Sequence, residues 1–587
     1  MGSPLARGTT LSDPTHVYSL RVVPHAGRLD GELLLPAGEH LLETATWVPG
    51  AYAYLRYGRD LVDVRAEAAS TGAPLGVQRE GWTGYRIEPC AQPIRVTFRA
   101  VMADPAWGEL AGYVTSEHAV LHPTRLPHVR SLAGSVRVHY ELPEGWAMHH
   151  PAGAARENES SFLYPSFADW LDTPVVAGAF VHRQRQEGST TFHYVFLEQA
   201  VGLDTELEGF LDDVQKIARA AGDVFSGFPF AEYTFVCSFD SRAHWGLEHA
   251  HATLVGLGPL ALVDDAARFD ALRVIAHELV HAWNVCRLKP AAFAPADLVA
   301  GGLPGELWIA EGFTRYYEFL LLVRAGFCTP ERFFSNVVSY HDASTTRPGY
   351  ARTSLLDSAR ATFLNHHRYP NAANTMIDYY DVGMLVAFDL DAELQLRGRS
   401  LDEAFATLYR RFGTATGGFT HEDACAVFAE LGCEEIVRRE VETPGALTTL
   451  AQLRRLGFEC GVCEASTLGV ILDGPRIVHV LEGSGAEAAG LLPDDRIVTH
   501  DALAFTSKGL EWLVGHRRSI ALVVQRGDRL LSVDAGIGTR PQVTSLTFRG
   551  GAEAQATLQR WLGLGLATGA EIALRFYDNF HGTDRPV

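Results

Sequence analysis

The sequence predicts a multidomain α+β protein: a β-rich first part, a long and mostly helical middle, and a small β domain towards the end. Three observations predict this. The chain has 587 residues, several times the roughly 150 of an average domain. Its 47% hydrophobic and 20% charged content is that of globular domains able to bury their own cores. The hydrophobic period changes along the chain, from two to about 3.6 and back to short β-branched runs.

Each part has its own signals. Residues 1–175 read as a β-rich N-terminal domain, because 17–23 and 94–98 are alternating or β-branched while Pro36-Ala37-Gly38 and Pro49-Gly50 supply turns. Residues 176–455 read as one larger domain. Over 204–225, Leu207, Phe210, Leu211, Val214, Ile217 and Ala218 share a helical face, whereas Phe235-Val236-Cys237 reads as a strand. Residues 456–540 return to short β runs at 469–472, 477–480 and 521–524, and 541–587 form an extension with one helix over 552–562 and a strand-like tail. No internal repeat or low-complexity linker interrupts these parts.

Composition excludes several classes. With 50 Lys+Arg against 70 Asp+Glu the net charge is −20, which offers no basic footprint for nucleic acid. The first twenty residues hold no signal-peptide-like apolar run. The most apolar stretch, 253–263, is closed by Asp264 and Asp265 and is too short for a membrane span. The 8 Cys are scattered, so no disulfide framework is expected, and Cys460-Gly461-Val462-Cys463 lacks the second pair a zinc ribbon needs. The expectation is a reduced cytoplasmic protein with no nucleic-acid partner.

One motif carries chemistry. His277-Glu278-Leu279-Val280-His281 lies in a stretch, 266–283, without Gly or Pro and with helical apolar spacing; Asp264 or Asp265 can cap it. Positions four apart share a helix face, so both imidazoles can reach one Zn²⁺. Glu278, next to the first ligand, is placed to take a proton from water at that metal. A catalytic zinc needs a third protein ligand. Asp297, Glu306, Glu311 and Glu318 are the candidates. Glu311 stands in an apolar and aromatic helical stretch, where an unpaired carboxylate is costly to bury, while Glu306 suits a first helical turn and Asp297 a polar loop. His149-His150 and His366-His367 sit in polar or Pro-flanked segments and read as solvated.

At this point the residues resemble a family. His277-Glu278-Leu279-Val280-His281-Ala282-Trp283-Asn284-Val285-Cys286-Arg287, followed by Trp308-Ile309-Ala310-Glu311-Gly312-Phe313-Thr314-Arg315-Tyr316-Tyr317, is similar to the glycyl aminopeptidases, gluzincin zinc metallopeptidases that carry a PDZ domain. Trp47-Val48-Pro49-Gly50-Ala51-Tyr52 resembles that family's N-terminal Trp-x-Pro-Gly-Ser-Tyr segment. The resemblance implies a thermolysin-like catalytic domain over 176–455 and one Zn²⁺ per chain, on His277, His281 and Glu311, with Glu278 as base. Trp245-Gly246-Leu247-Glu248-His249 resembles the Gly-Gly-Leu-Glu-His strand of gluzincin aminopeptidases, with Trp in place of the first Gly. It implies that Gly246, Leu247 and Glu248 bind substrate, Glu248 holding the free α-amino group. Tyr379-Tyr380-Asp381-Val382-Gly383 resembles the family's Tyr-x-Lys-Gly-Ala segment, with Val382 in place of Lys. It implies that Tyr380, or its neighbour Tyr379, stabilises the oxyanion.

Over 456–540, Gly483-Ser484-Gly485-Ala486-Glu487-Ala488-Ala489-Gly490-Leu491 and Asp494-Asp495-Arg496-Ile497 resemble a bacterial PDZ domain, with Leu468-Gly469-Val470 as the nest for a C-terminal carboxylate. The implied activity is hydrolysis of the first peptide bond of peptides with a free N-terminus and a small first residue, Gly or Ala. The competing readings are a gluzincin endopeptidase, a PDZ peptide-binding scaffold with structural zinc, and a hydrolase of a non-peptide electrophile such as an epoxide.

Overall fold

A computed structural model describes residues 15–55, 57–103, 112–129, 134–243, 246–364, 369–370, 372–574 and 587. Expectations that concern residues 1–14, Trp245, His366, His367 and the tail 575–586 lie outside these. The chain forms two compact units: 1–222 with 226–287 and 296–302, and 223–225 with 288–295 and 303–587.

The first unit begins with β structure. Strand His16–Val23 pairs antiparallel with Arg28–Leu35 and parallel with Val136–Glu141 inside an eight-stranded sheet. Alternation decides its faces: Tyr18, Leu20 and Val22 are buried while Ser19 and Arg21 face solvent. With Leu33, Leu35, Val96, Phe98 and Val138 they form one core. Two four-stranded sheets complete this part.

A mixed five-stranded sheet follows, in the order Val181–Glu187, Thr190–Leu197, Glu232–Ser238, Ala252–Gly256, Gly246–Glu248. Its middle pairings are parallel, and Gly246–Glu248 closes one edge antiparallel to Ala252–Gly256. Helix Asp265–His281 packs on those last two strands. Asp264 starts it by accepting from the backbone N–H groups of Ala266 and Ala267 at 3.1 and 2.9 Å. The helix expected from 204 begins at Leu207 because 201–206 are spent in turns. His149 and His150 are not solvated. His149 ends the strand Ala147–His149, His150 stacks on Phe162 at 3.7 Å between ring centres, and both are half-buried.

The second unit is helical to Arg455 and then β-rich. Trp308–Phe313 is a buried π-helical turn that continues into helix Thr314–Arg324. The buried helix Tyr379–Leu396 crosses that turn at two glycines. A Cβ on Gly312 would lie 2.5 Å from the Gly383 backbone, and one on Gly383 would lie 2.9 Å from Gly312 Cα, so the crossing requires both. Beyond the helices, Phe458–Thr467 and Gly538–Phe548 form a long antiparallel ribbon. Between them lies a sheet in the order Val470–Asp473, Arg476–Val480, Arg496–His500, Ser519–Arg526, Arg529–Gly536. With helix Ser507–His516 it has a core of its own, including Leu468, Val470, Ile477, Leu510, Ile520 and Val524. Among the described residues no helix is long and apolar enough to cross a membrane.

Candidate active site

The His277 helix does what its i, i+4 spacing predicts. Nε2 of His281 lies 3.1 Å from Nε2 of His277. Nδ1 of His281 is 3.0 Å from the carbonyl oxygen of Asn284. A carbonyl only accepts, so the proton of the neutral ring is on Nδ1 and the Nε2 lone pair faces His277. Two nitrogens bound to one tetrahedral zinc at 2.0–2.1 Å stand about 3.3 Å apart. The pair therefore fits zinc, and the Asn284 contact is the outer support such a ligand needs.

Around this pair the first unit arranges carboxylates. Glu248, Glu278 and His281, all buried, bring one ligand-type atom each to within 4.8 Å of the others. Glu248 and Glu278 belong to different elements, the edge strand and the helix. Their approach depends on Gly246: a Cβ there would sit 2.0 Å from Glu278 Oε1. The Thr253 hydroxyl donates to the Leu247 carbonyl at 3.1 Å and lies 3.5 Å from Glu278 Oε2.

Three supports were missed from sequence. Gly50, at φ 95°, lies against Glu248, since a Cβ would come 2.7 Å from Oε2 and 2.6 Å from Leu247 Cδ1. The segment Trp47-Val48-Pro49-Gly50-Ala51-Tyr52 was the available signal. Its loop is tied down by Trp47 Nε1 donating to the Asp297 carbonyl at 2.6 Å and Tyr54 donating to the Ala300 carbonyl at 2.6 Å. Asp172 positions the residues after Glu248: it lies 3.2 Å from His249 Nδ1 and accepts from Ala250 N at 3.1 Å. Asn284 is the third, and no sequence signal marks a backbone carbonyl.

In the second unit, Glu311 is 1% exposed in the π-helical turn, as its apolar and aromatic surroundings predict, and Glu306 and Glu318 are buried too. The competitors of Glu311 have other partners. The Asp297 carboxylate accepts from Val299 N and Ala300 N at 2.9 and 2.8 Å, an Asx turn. Glu306 accepts from His421 N at 2.8 Å, and burial pushes its carboxyl above the usual range. Glu318 is buried near Arg315. Tyr379 is buried, and its hydroxyl is 2.8 Å from Thr362 Oγ1. Tyr380 is half-buried, with the Arg315 guanidinium 5.3 Å from its ring centre. Arg315 is in turn ion-paired with buried Asp381.

The profile of the M61 glycyl aminopeptidase matches residues 270–386, and that of the peptidase M61 N-terminal domain matches residues 18–179. The chain belongs to the M61 glycyl aminopeptidase family. The crystal structure of an aminopeptidase N family protein from Idiomarina loihiensis superposes with a TM-score of 0.83 at 19% identity, over 93% of this chain and 100% of that one, and so shares the fold. Native leukotriene A4 hydrolase from Saccharomyces cerevisiae reaches a TM-score of 0.45 at 15% identity, over 76% of this chain and 70% of that one. Leucine aminopeptidase 2 from Candida glabrata is 28% identical over 140 residues, which is 24% of this chain and 19% of that relative's length.

A second set of converging donors lies at Leu468-Gly469-Val470. At the expected nest, Leu468 N and Gly469 N donate to the Val587 oxygen at 2.9 and 2.8 Å, and Thr467 Oγ1 donates to it at 3.0 Å. Val587 N donates to the Val470 carbonyl at 2.8 Å. Val587 is the last residue of the sequence, and its side chain packs on the core of the small sheet.

Proposed function

We propose that this M61 family member is a zinc aminopeptidase that removes small N-terminal residues, Gly or Ala, from peptides. The observation that carries the reading is the facing pair of Nε2 atoms, one with its tautomer fixed, beside two buried carboxylates. His277, His281 and Glu311 are the residues that hold the metal. When bound, zinc supplies a Lewis acid and lowers the pKa of water to near neutrality. Glu278 takes the proton of the attacking water and returns it to the leaving amine. Glu248 binds the substrate's α-ammonium group by a charge-assisted hydrogen bond and so sets the register at the first peptide bond. Gly246 and Leu247, on the edge of the five-stranded sheet, offer backbone groups to an extended peptide. Tyr380 stabilises the oxyanion, because Tyr379 has its hydroxyl on Thr362. The likeness to the glycyl aminopeptidases is what supports a preference for Gly or Ala.

Free and N-acetylated Gly and Ala peptides, assayed with and without chelator, test this reading. The expected outcome is turnover of the free amines alone, lost on chelation and restored by Zn²⁺. Equal turnover of acetylated peptides would replace it with the endopeptidase.

Residues 456–540 are proposed to be a PDZ-like module that receives the end of an extended peptide. Three donors converge within 3.0 Å on one oxygen, a concentration of partial positive charge that suits an anionic acceptor. Since Val587 occupies that nest, Val587→Asp should strengthen capture of an added peptide ending in Val by roughly tenfold or more, read by fluorescence anisotropy. Unchanged capture would leave the module a structural role.

A further inference from the structure

Away from the cleft, the first unit gathers three more histidines from three strands. His149 ends Ala147–His149, His182 lies in Val181–Glu187 and His193 in Thr190–Leu197. In the hairpin register His182 pairs with Val195 and Gln184 with His193, so the two histidines are diagonal neighbours on one face. Nε2 of His182 lies 3.1 Å from Nδ1 of His193, the separation found between His277 and His281. The His149 ring centre is 5.1 Å from that of His182 and 5.4 Å from that of His193. One nitrogen from each of the three falls within 4.8 Å of the others.

Two further contacts surround the three rings. The other nitrogen of His193, Nε2, lies 3.7 Å from Oε2 of the exposed Glu232, within ion-pair range but beyond a hydrogen bond. His149 is fixed by Thr234, whose Oγ1 is 3.0 Å from its Nε2. His182 is exposed, which leaves solvent access for a water to complete a tetrahedral site. Three imidazoles suit Zn²⁺, Cu²⁺ or Ni²⁺ and not the oxygen-seeking Mg²⁺ or Ca²⁺.

We propose that His149, His182 and His193 form a second transition-metal site, which shares no residue with the cleft and clips the strand Ala147–His149 to the hairpin of the five-stranded sheet. It does not depend on the aminopeptidase reading. The test is zinc stoichiometry on the untagged full chain, after metal stripping and equilibrium dialysis with Zn²⁺ near pH 7.5. Wild type should bind two equivalents. The His182→Gln/His193→Gln variant should bind one and keep wild-type turnover, and His277→Ala/His281→Ala should bind one and lose turnover. Because position 182 is exposed, His182→Gln alone, with its circular dichroism checked, guards against misfolding and should weaken the second equivalent by about 10–100-fold. One equivalent in wild type, or two retained in His182→Gln/His193→Gln, would overturn the proposal. In the single-equivalent case, its loss in His277→Ala/His281→Ala would leave the cleft reading standing.

Discussion

His277 and His281 stand one turn apart on a helix, whereas His182 and His193 meet across a hairpin, yet each pair brings two ring nitrogens to 3.1 Å. The surroundings differ. The helix pair has Glu278 and Glu248, both buried, beside His281. The hairpin pair has a third imidazole, a threonine hydroxyl and the exposed Glu232. Ligand spacing alone therefore does not separate a site for chemistry from a site for holding. What separates them is a carboxylate that can move a proton, kept in place by the scaffold.

The sharpest way to break that distinction is Glu278→Gln. It should lower kcat by roughly 10²–10⁴-fold while the zinc content stays that of wild type; unchanged turnover would remove Glu278 as the base and make the two histidine clusters chemically alike. A smaller effect separates loss of a site from loss of the scaffold that carries both. Burial holds His122 and His128 at pKa values of about 3, against 6.5 for a free histidine. Their folded-state pKa is depressed, so the associated stability is full above about pH 6.5 and is lost as pH falls from there towards 3, by up to about 1.4 kcal/mol per pH unit for each. Thermal melts from pH 8 to 4.5 should fall steadily below pH 6.5. A flat profile would show that these rings are not held neutral by the fold.

The same comparison explains what was legible. The His277 pair could be read because both imidazoles and Glu278 fall within five consecutive residues of one helix, where the period alone sets geometry. Glu248 was legible through the short segment that contains it, and the helix expected at 552–562 is the helix Ala552–Leu562. His182 and His193 carried no signal, because their meeting depends on hairpin register. His149 was misread as solvated because the flanking Pro151 suggested a loop, while its strand is made by pairing with Val175–Gly178. Gly246 and Gly50 could be named from motifs, but the reason for them, a carboxylate within 3 Å of an added Cβ, belongs to tertiary structure.

Gly312 and Gly383 meet main chain to main chain, with no side chain between them. The spacing between the turn that carries Glu311 and the helix that carries Tyr380 is thus set by peptide planes, which have no rotamers to sample. Side-chain motion around the two residues cannot loosen it.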